Sequence, residues 1–210
     1  FNMTGTLSGD SVPNGSADIA LTTNISLNLA EDLLTLRDFS LSALDAQVNA
    51  NINGTGVTGN DPVYQVNMAA AGTDLAVFFQ ILENDALVAQ IRALNSRAFR
   101  VNALIESSSE SGSLTITGLD AELLDASISG DISATNLQSE APIVSGTINA
   151  FGPDLPTLLE VAGQLQGSNS ELARYGRELQ QSPDQSFVVN TNFDADFSTG
   201  AIEIPALELR

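Results

Sequence analysis

Apolar and polar residues alternate along much of the chain, which is the pattern of β-strands with one buried face. The clearest case is the segment DAQVNANIN (45–53), in which Ala46, Val48, Ala50 and Ile52 would share one face. The intervening Gln and Asn side chains would lie on the other face. The pattern therefore predicts a sheet with one apolar face and one polar face that is exposed to solvent.

Four such segments occur in the first part of the chain, at 18–29, 33–43, 46–55 and 63–71. Short polar turns with the sequences AEDL, ALDA and TGNDP separate them. Strands joined by short turns are typical of an antiparallel meander.

A helical segment is predicted after each group of strands. Asp74 and Asp154 lie where these segments begin, and an aspartate there accepts hydrogen bonds from the free N–H groups of the first helical turn as an N-cap. The first segment has an apolar stripe with the i, i+3, i+4, i+7 spacing, formed by Leu75, Phe78, Phe79 and Leu82. We predict second helices around DALVAQIRAL and SELARYGREL.

The chain also matches itself at an offset of 80 residues, because LTLRDFSLSALDAQVNANINGT (34–55) aligns with LTITGLDAELLDASISGDISAT (114–135). A third copy begins near Ser186, where FVVNTNF echoes FRVNALI of the second copy. We therefore predict one continuous β domain made of four parts. These are the end of a preceding repeat (1–17), unit 1 (18–97), unit 2 (98–185) and a partial third unit (186–210).

The predicted fold class is α+β and mostly β: repeated antiparallel meanders forming an elongated curved sheet or groove, with short helical insertions after each unit. A segment cut from a longer sheet of this kind would expose its edges, so we expect such a fragment to self-associate through them as an effect of excision.

The string GTGVTG (54–59) fits the spacing of a dinucleotide-binding loop, but such a loop must lead into a helix. Here it leads to Pro62 and the strand-like run YQVNMA, and the second copy has ATNLQS in its place. The glycines indicate a turn or bulged loop between two strands.

Composition removes several classes of function. The chain has 26 acids and 7 bases, a net charge of −19, so we expect no nucleic-acid partner. It has no Cys and no His, which excludes thiol nucleophiles, His bases and Cys/His zinc sites. We expect no catalytic residue, cofactor or metal.

No run approaches the roughly 18 apolar residues that span a bilayer. Because the chain begins and ends inside strand-like runs, we expect it to be a segment of a longer protein.

Three features together resemble the AsmA-like family: the L-T-L-x-x-F-S-L-S-x-L strand, the alternating hairpin after it, and the G-x-D-L helix start. The stretch FGPDLPTLLEVAG, followed after a polar loop by SFVVNTNFDADFSTGAIEIPALEL, is similar to that family's C-terminal region. The resemblance covers most of the chain from about Ile19, and its motifs are degenerate.

The resemblance implies a periplasmic segment of an inner-membrane-anchored protein of Gram-negative bacteria, related to bridge-like lipid-transport proteins. It implies a hydrophobic groove for phospholipid acyl chains, a part in outer-membrane biogenesis, and other envelope proteins as partners. Alternation supplies the groove candidates: Leu36, Phe39, Leu41, Val48, Ile52, Val66, Met68, Val101, Ile116, Leu119, Ile128, Ile132, Ile148, Val189, Ile202 and Ile204.

Two alternatives stay open. The same apolar face could be a core closed by the helices, in a structural or adhesive β-repeat protein of the envelope with no lipid path. Asp-rich turns such as TGNDP could then take Ca²⁺, although their spacing is not that of a calcium repeat. An enzyme would need a positioned pair of carboxylates, and no pair stands out in the sequence.

Overall fold

The computed structural model describes residues 1–8, 12, 15–81, 85–94, 96–139, 141–166, 170–182, 184–197, 199 and 201–209. The first five strands are β1 (Asn2–Ser8), β2 (Ser16–Asn28), β3 (Leu33–Ala43), β4 (Ala46–Thr55) and β5 (Val63–Gly72). Helices α1 (Leu75–Ile81) and α2 (Asp85–Arg92) follow. The next strands are β6 (Phe99–Ser108), β7 (Ser113–Leu123), β8 (Ala126–Thr135) and β9 (Ile143–Gly152). Helices α3 (Leu155–Gln166) and α4 (Glu171–Leu179) precede β10 (Phe187–Asp196) and β11 (Ala201–Leu209).

The strands form one antiparallel sheet in the order of the chain, β1 to β11. Each strand pairs with its neighbours in sequence, and β5 pairs with β6, and β9 with β10, across the helical insertions. The predicted fold class is confirmed: a mostly β, open antiparallel meander with a few short helices. The predicted strands agree with β2 to β5 to within two residues at each end.

The two-residue turn between β3 and β4 explains why ALDA reverses the chain. Leu44 and Asp45 both have positive φ, of 56° and 59°, and Leu124 and Asp125 repeat this between β7 and β8 with 54° and 64°. Two successive positive φ values form the tight turn whose twist matches that of the flanking strands. The two copies of the 80-residue repeat therefore share the backbone geometry of this turn.

A bulge interrupts β3 and recurs in β7. Arg37 and Asp38 together lie opposite Asn51, and the N–H of Asp38 donates to Asn51 Oδ1 at 3.1 Å. In β7 the N–H of Gly118 donates to Asp131 Oδ1 at 2.8 Å. The extra residue shifts the phase of the alternation, and a bulge also bends and twists its strand.

The helices build a core at the end of the sheet where the β3–β4 and β7–β8 turns lie. Leu87 and Ile91 of α2, which are fully buried, pack with Ala76 of α1, Val161 of α3 and Leu124 of the β7–β8 turn. Leu75 and Phe79 of the predicted stripe pack against this cluster. Leu82 lies outside the described residues, as does the side chain of Phe78.

The two aspartates predicted as N-caps lie directly before α1 and α3. Asp74 Oδ1 accepts from the N–H of Ala76 at 3.0 Å, and Asp154 Oδ1 accepts from the N–H of Thr157 at 2.9 Å. Asp74 also pairs with Arg97 at 3.2 Å. Gly54 and Thr55 of the segment GTGVTG end β4, and its other residues form a turn before β5, as predicted, where the N–H of Gly59 donates to the carbonyl of Gly56 at 3.1 Å.

Candidate functional site: the apolar face of the sheet

The candidate site is one face of the sheet, here called the apolar face. Residues directly opposite one another on paired strands lie on the same face, so the register defines it from strand to strand. The register places the predicted groove residues of β3 to β10, and Ile202 of β11, on this face. For Ile202 this rests on backbone register alone, and the predicted Ile204 lies at the register shift between β10 and β11, where the register does not assign it to a face.

The bulges are what keep the face continuous. Leu36 and Phe39 are three residues apart, and in a regular strand they would point to opposite faces. The register shift at Arg37 and Asp38 returns both to the apolar face, opposite Ile52 and Ala50. The bulge in β7 does the same for Ile116 and Leu119.

One row of positions, all occupied by large apolar side chains except Gly146, crosses the sheet from β2 to β10. This outer row consists of Ile25, Leu36, Ile52, Val66, Ile105, Ile116, Ile132, Gly146 and Phe193. At roughly 4.8 Å per strand it is about 38 Å long. The ring of Phe193 lies over Gly146, where an added Cβ would be 3.2 Å from the ring. The aromatic ring thus fills the gap that glycine leaves in the row.

Besides Gly146, sequence reasoning missed three members of this row: Ile25, Ile105 and Phe193. The first two occupy equivalent positions of the 80-residue repeat, as the self-alignment shows. Phe193 belongs to the third copy, whose phase could be assigned only once β10 was paired with β9.

Burial separates this face from an ordinary core. The predicted groove residues on β3 to β10 are each half-buried, neither sealed nor fully exposed. In the described strands of this face, full burial is confined to Thr23, Phe187, glycine and alanine. The buried alanines are Ala46, Ala50, Ala103, Ala121, Ala126, Ala134, Ala150 and Ala195. The small side chains of this face are therefore buried, whereas the large aliphatic side chains keep part of their surface exposed to solvent.

The helices cover only the part of the face nearest to them. Leu155 and Leu158 of α3 pack against a cluster formed by Ala126, Ala150 and Phe187. Ile128, Ile148 and Val189 pack against the same cluster, whereas no member of the outer row belongs to it or to the helical core. Within the described residues the outer row is thus left without a covering layer.

The two faces differ sharply in charge. The register assigns no charged residue to the apolar face between β2 and β10. The opposite face carries Asn, Ser, Thr and Asp, and there Arg100 binds Asp120 at 3.0 Å and Glu122 at 2.9 Å. The hydrogen bond with Glu122 and the charge of Asp120 raise the pKa of Arg100 above its ordinary value.

Among the described residues, no group of three or more Asp or Glu side chains could hold a metal ion. None of the described helices has both the length and the apolar character needed to cross a membrane.

Comparison with known proteins adds nothing to the geometry: no family model, no curated protein and no solved structure matches the chain.

Proposed function

We propose that this chain is a non-enzymatic segment of an AsmA-like protein and that its apolar face binds phospholipid acyl chains. In this proposal the parent protein is anchored in the inner membrane, and the segment lies in the periplasm. Its part is to shelter lipids that pass between the inner and outer membranes, which supports outer-membrane biogenesis. The observation that carries the proposal is the outer row, an uncharged line of mostly large aliphatic side chains that are half-buried from β3 to β10.

The physical basis is the burial of hydrocarbon. Each buried CH₂ group stabilises binding by about 0.8 kcal/mol, so a sixteen-carbon chain gains roughly 10 kcal/mol before ordering costs are subtracted. Contacts with Ile, Leu and Val side chains have no preferred direction. A chain lying on the outer row can therefore shift from one strand to the next without losing a specific hydrogen bond.

The competing function is that of a structural envelope protein with a closed core. Its support is the opposite face, whose polar Asn, Ser and Thr ladders suit a surface in contact with water or with other envelope components. It requires that a further layer covers the outer row, which is the point that an experiment must decide.

The test places a photo-crosslinking amino acid at Val66 in the outer row, in the protein made from its own gene in living cells. The matched control is Asn67, its exposed neighbour on the opposite face of β5. A second control is Ile91, which is fully buried. Captured lipid is identified by mass spectrometry after purification.

Phospholipid captured at Val66 and at neither control is the expected result. Capture of protein alone at Val66, or equal lipid capture at Val66 and Asn67, would refute an open lipid-binding face and leave the structural function.

A further inference from the structure

The helix pairs of units 1 and 2 can be compared residue by residue, because one hydrogen bond recurs in both. In unit 1 the guanidinium of Arg92 on α2 donates to Gln80 Oε1 on α1 at 2.6 Å. In unit 2 the amide of Gln180, the C-cap of α4, donates to Glu160 Oε1 on α3 at 2.7 Å. Gln80 and Glu160 are equivalent at the 80-residue offset of the repeat, so Arg92 and Gln180 are equivalent at an offset of 88 residues.

Backbone contacts confirm this correspondence. The N–H of Leu75 donates to the carbonyl of Arg97 at 2.8 Å, and the N–H of Leu155 donates to the carbonyl of Gln185 at 2.9 Å. The donors are again 80 residues apart and the acceptors 88. The longer α3, with 12 residues where α1 has 7, accounts for most of the difference between the two offsets. Each second helix therefore lies beside its first helix in the same register.

In unit 1 one side of α2 packs on the helix pair of the next unit. Leu87 and Ile91, both fully buried, belong to a cluster that also contains Val161 of α3. Beside them, Gln90 Nε2 donates to Glu160 Oε2 at 2.7 Å. Consecutive helix pairs are thus joined by two apolar side chains one helical turn apart and by one hydrogen bond.

The equivalent side of α4 is exposed to solvent. The offset of 88 residues makes Tyr175 and Leu179 the equivalents of Leu87 and Ile91. Tyr175 is 46% exposed and Leu179 is 40% exposed, whereas both of their equivalents are 0% exposed. The sequence predicts a third unit from residue 186, and in units 1 and 2 the strands are followed by a helix pair.

We propose that Tyr175 and Leu179 form a docking surface for the first helix of the third unit's helix pair. The occupant is an amphipathic helix of the kind of α3, which offers an aliphatic side chain at the position of Val161. This interface continues the contact between α2 and α3. The helix pairs of successive units then form one row beside the sheet, as neighbouring repeats do in other repeat proteins. The proposal does not depend on lipid binding.

The polar contact specifies the chemistry of the occupant further. The residue of α4 that is equivalent to Gln90 is Glu178, an acid that lies 3.8 Å from Arg174 on its own helix. An ionised carboxylate only accepts hydrogen bonds, whereas the amide of Gln90 donates one to Glu160. A second acid facing Glu178 would be repelled by it. The third unit is therefore expected to carry an amide or a basic side chain, and no acid, at the position of Glu160.

The test places a photo-crosslinking amino acid at Leu179, in the protein made from its own gene in living cells. The matched control is Arg177, which is also exposed but lies on the side of α4 away from Tyr175 and Leu179. Digestion and mass spectrometry identify the linked peptides. A link within the same chain, from Leu179 to a helix of the third unit, is the expected result, and Arg177 should give no such link. The linked helix should have no acid at the position of Glu160.

A substitution then tests the apolar contact itself. With the photo-crosslinking residue at Tyr175, Leu179→Asp should lower the yield of this link about tenfold, because a charged carboxylate is strongly disfavoured among apolar side chains. Arg177→Asp, at the control position, should leave the yield unchanged. No link within the chain, a link from Leu179 only to another molecule, or equal losses for the two substitutions would overturn the proposal.

Discussion

Replacing Ile116 with threonine measures directly whether the apolar face is open. Thr keeps the β-branch, so the preference of the residue for a strand hardly changes. The substitution exchanges an ethyl group for a hydroxyl and removes two carbons, which are worth about 1.6 kcal/mol when fully buried. Ile116 is more buried than exposed, so the loss should be about 1.0–1.5 kcal/mol, and on an open face the hydroxyl can bind water.

The matched reference is Ile91→Thr, since Ile91 is fully buried in the helical core. There the same two carbons are lost completely, a cavity remains, and the hydroxyl is desolvated at a cost of about 1–3 kcal/mol. The expected loss is about 4 kcal/mol. The two substitutions should thus differ by about 3 kcal/mol although their chemistry is identical.

Urea denaturation followed by circular dichroism gives both free energies of unfolding, provided the slope with denaturant is the same in all three proteins. A loss of 3 kcal/mol or more for Ile116→Thr would mean that the outer row is sealed. The open-face description of the sheet, and with it the lipid-binding proposal, would then fail.

Three further predictions concern polar groups that shape the fold. Asp131→Ala removes the acceptor for the bulge N–H of Gly118 and should cost about 1 kcal/mol in thermal or urea unfolding, whereas Asp131→Asn, which copies the first unit, should cost much less. Asp154→Ala removes the N-cap of α3 and should cost about 1–2 kcal/mol, with rescue by Asp154→Ser as the check. The hydrogen bond from the Ser186 hydroxyl lowers the pKa of Asp184, so Ser186→Ala should raise that pKa in an NMR titration. Because the folded-state pKa is the lower one, this bond stabilises the protein above the ordinary pKa of aspartate and is lost as the pH falls through the folded-state value.

Much of the architecture was predictable because its causes are local. The alternation in 45–53 determines which side chains share a face, and the 80-residue repeat shows that the same unit recurs. Asp74 and Asp154 were identifiable as helix starts because capping depends only on the residues of the first turn. Even the turn at Leu44 and Asp45 could be placed, although nothing in those two residue types predicts positive φ as strongly as Asn-Gly would.

The bulges could not be derived from the alternation within one strand, since they depend on a hydrogen bond across strands. In the sequence, the spacing of Leu36 and Phe39 only interrupts the alternation. The bulge that puts both side chains on one face is held by Asn51, which accepts from the N–H of Asp38, thirteen residues away. The signal was present in the repeat, where Ile116 and Leu119 show the same irregular spacing.

The sequence by itself therefore determined that this protein is a repeated antiparallel meander with one apolar face, because side-chain alternation and turn chemistry act over a few residues. Only the tertiary structure decided how much of that face is covered. The helices could have closed over the whole of it; instead α1 and α2 pack on each other and on the β7–β8 turn, and α3 reaches only the nearest rows. That outcome depends on how helices and strands of distant segments meet, and no local pattern encodes it.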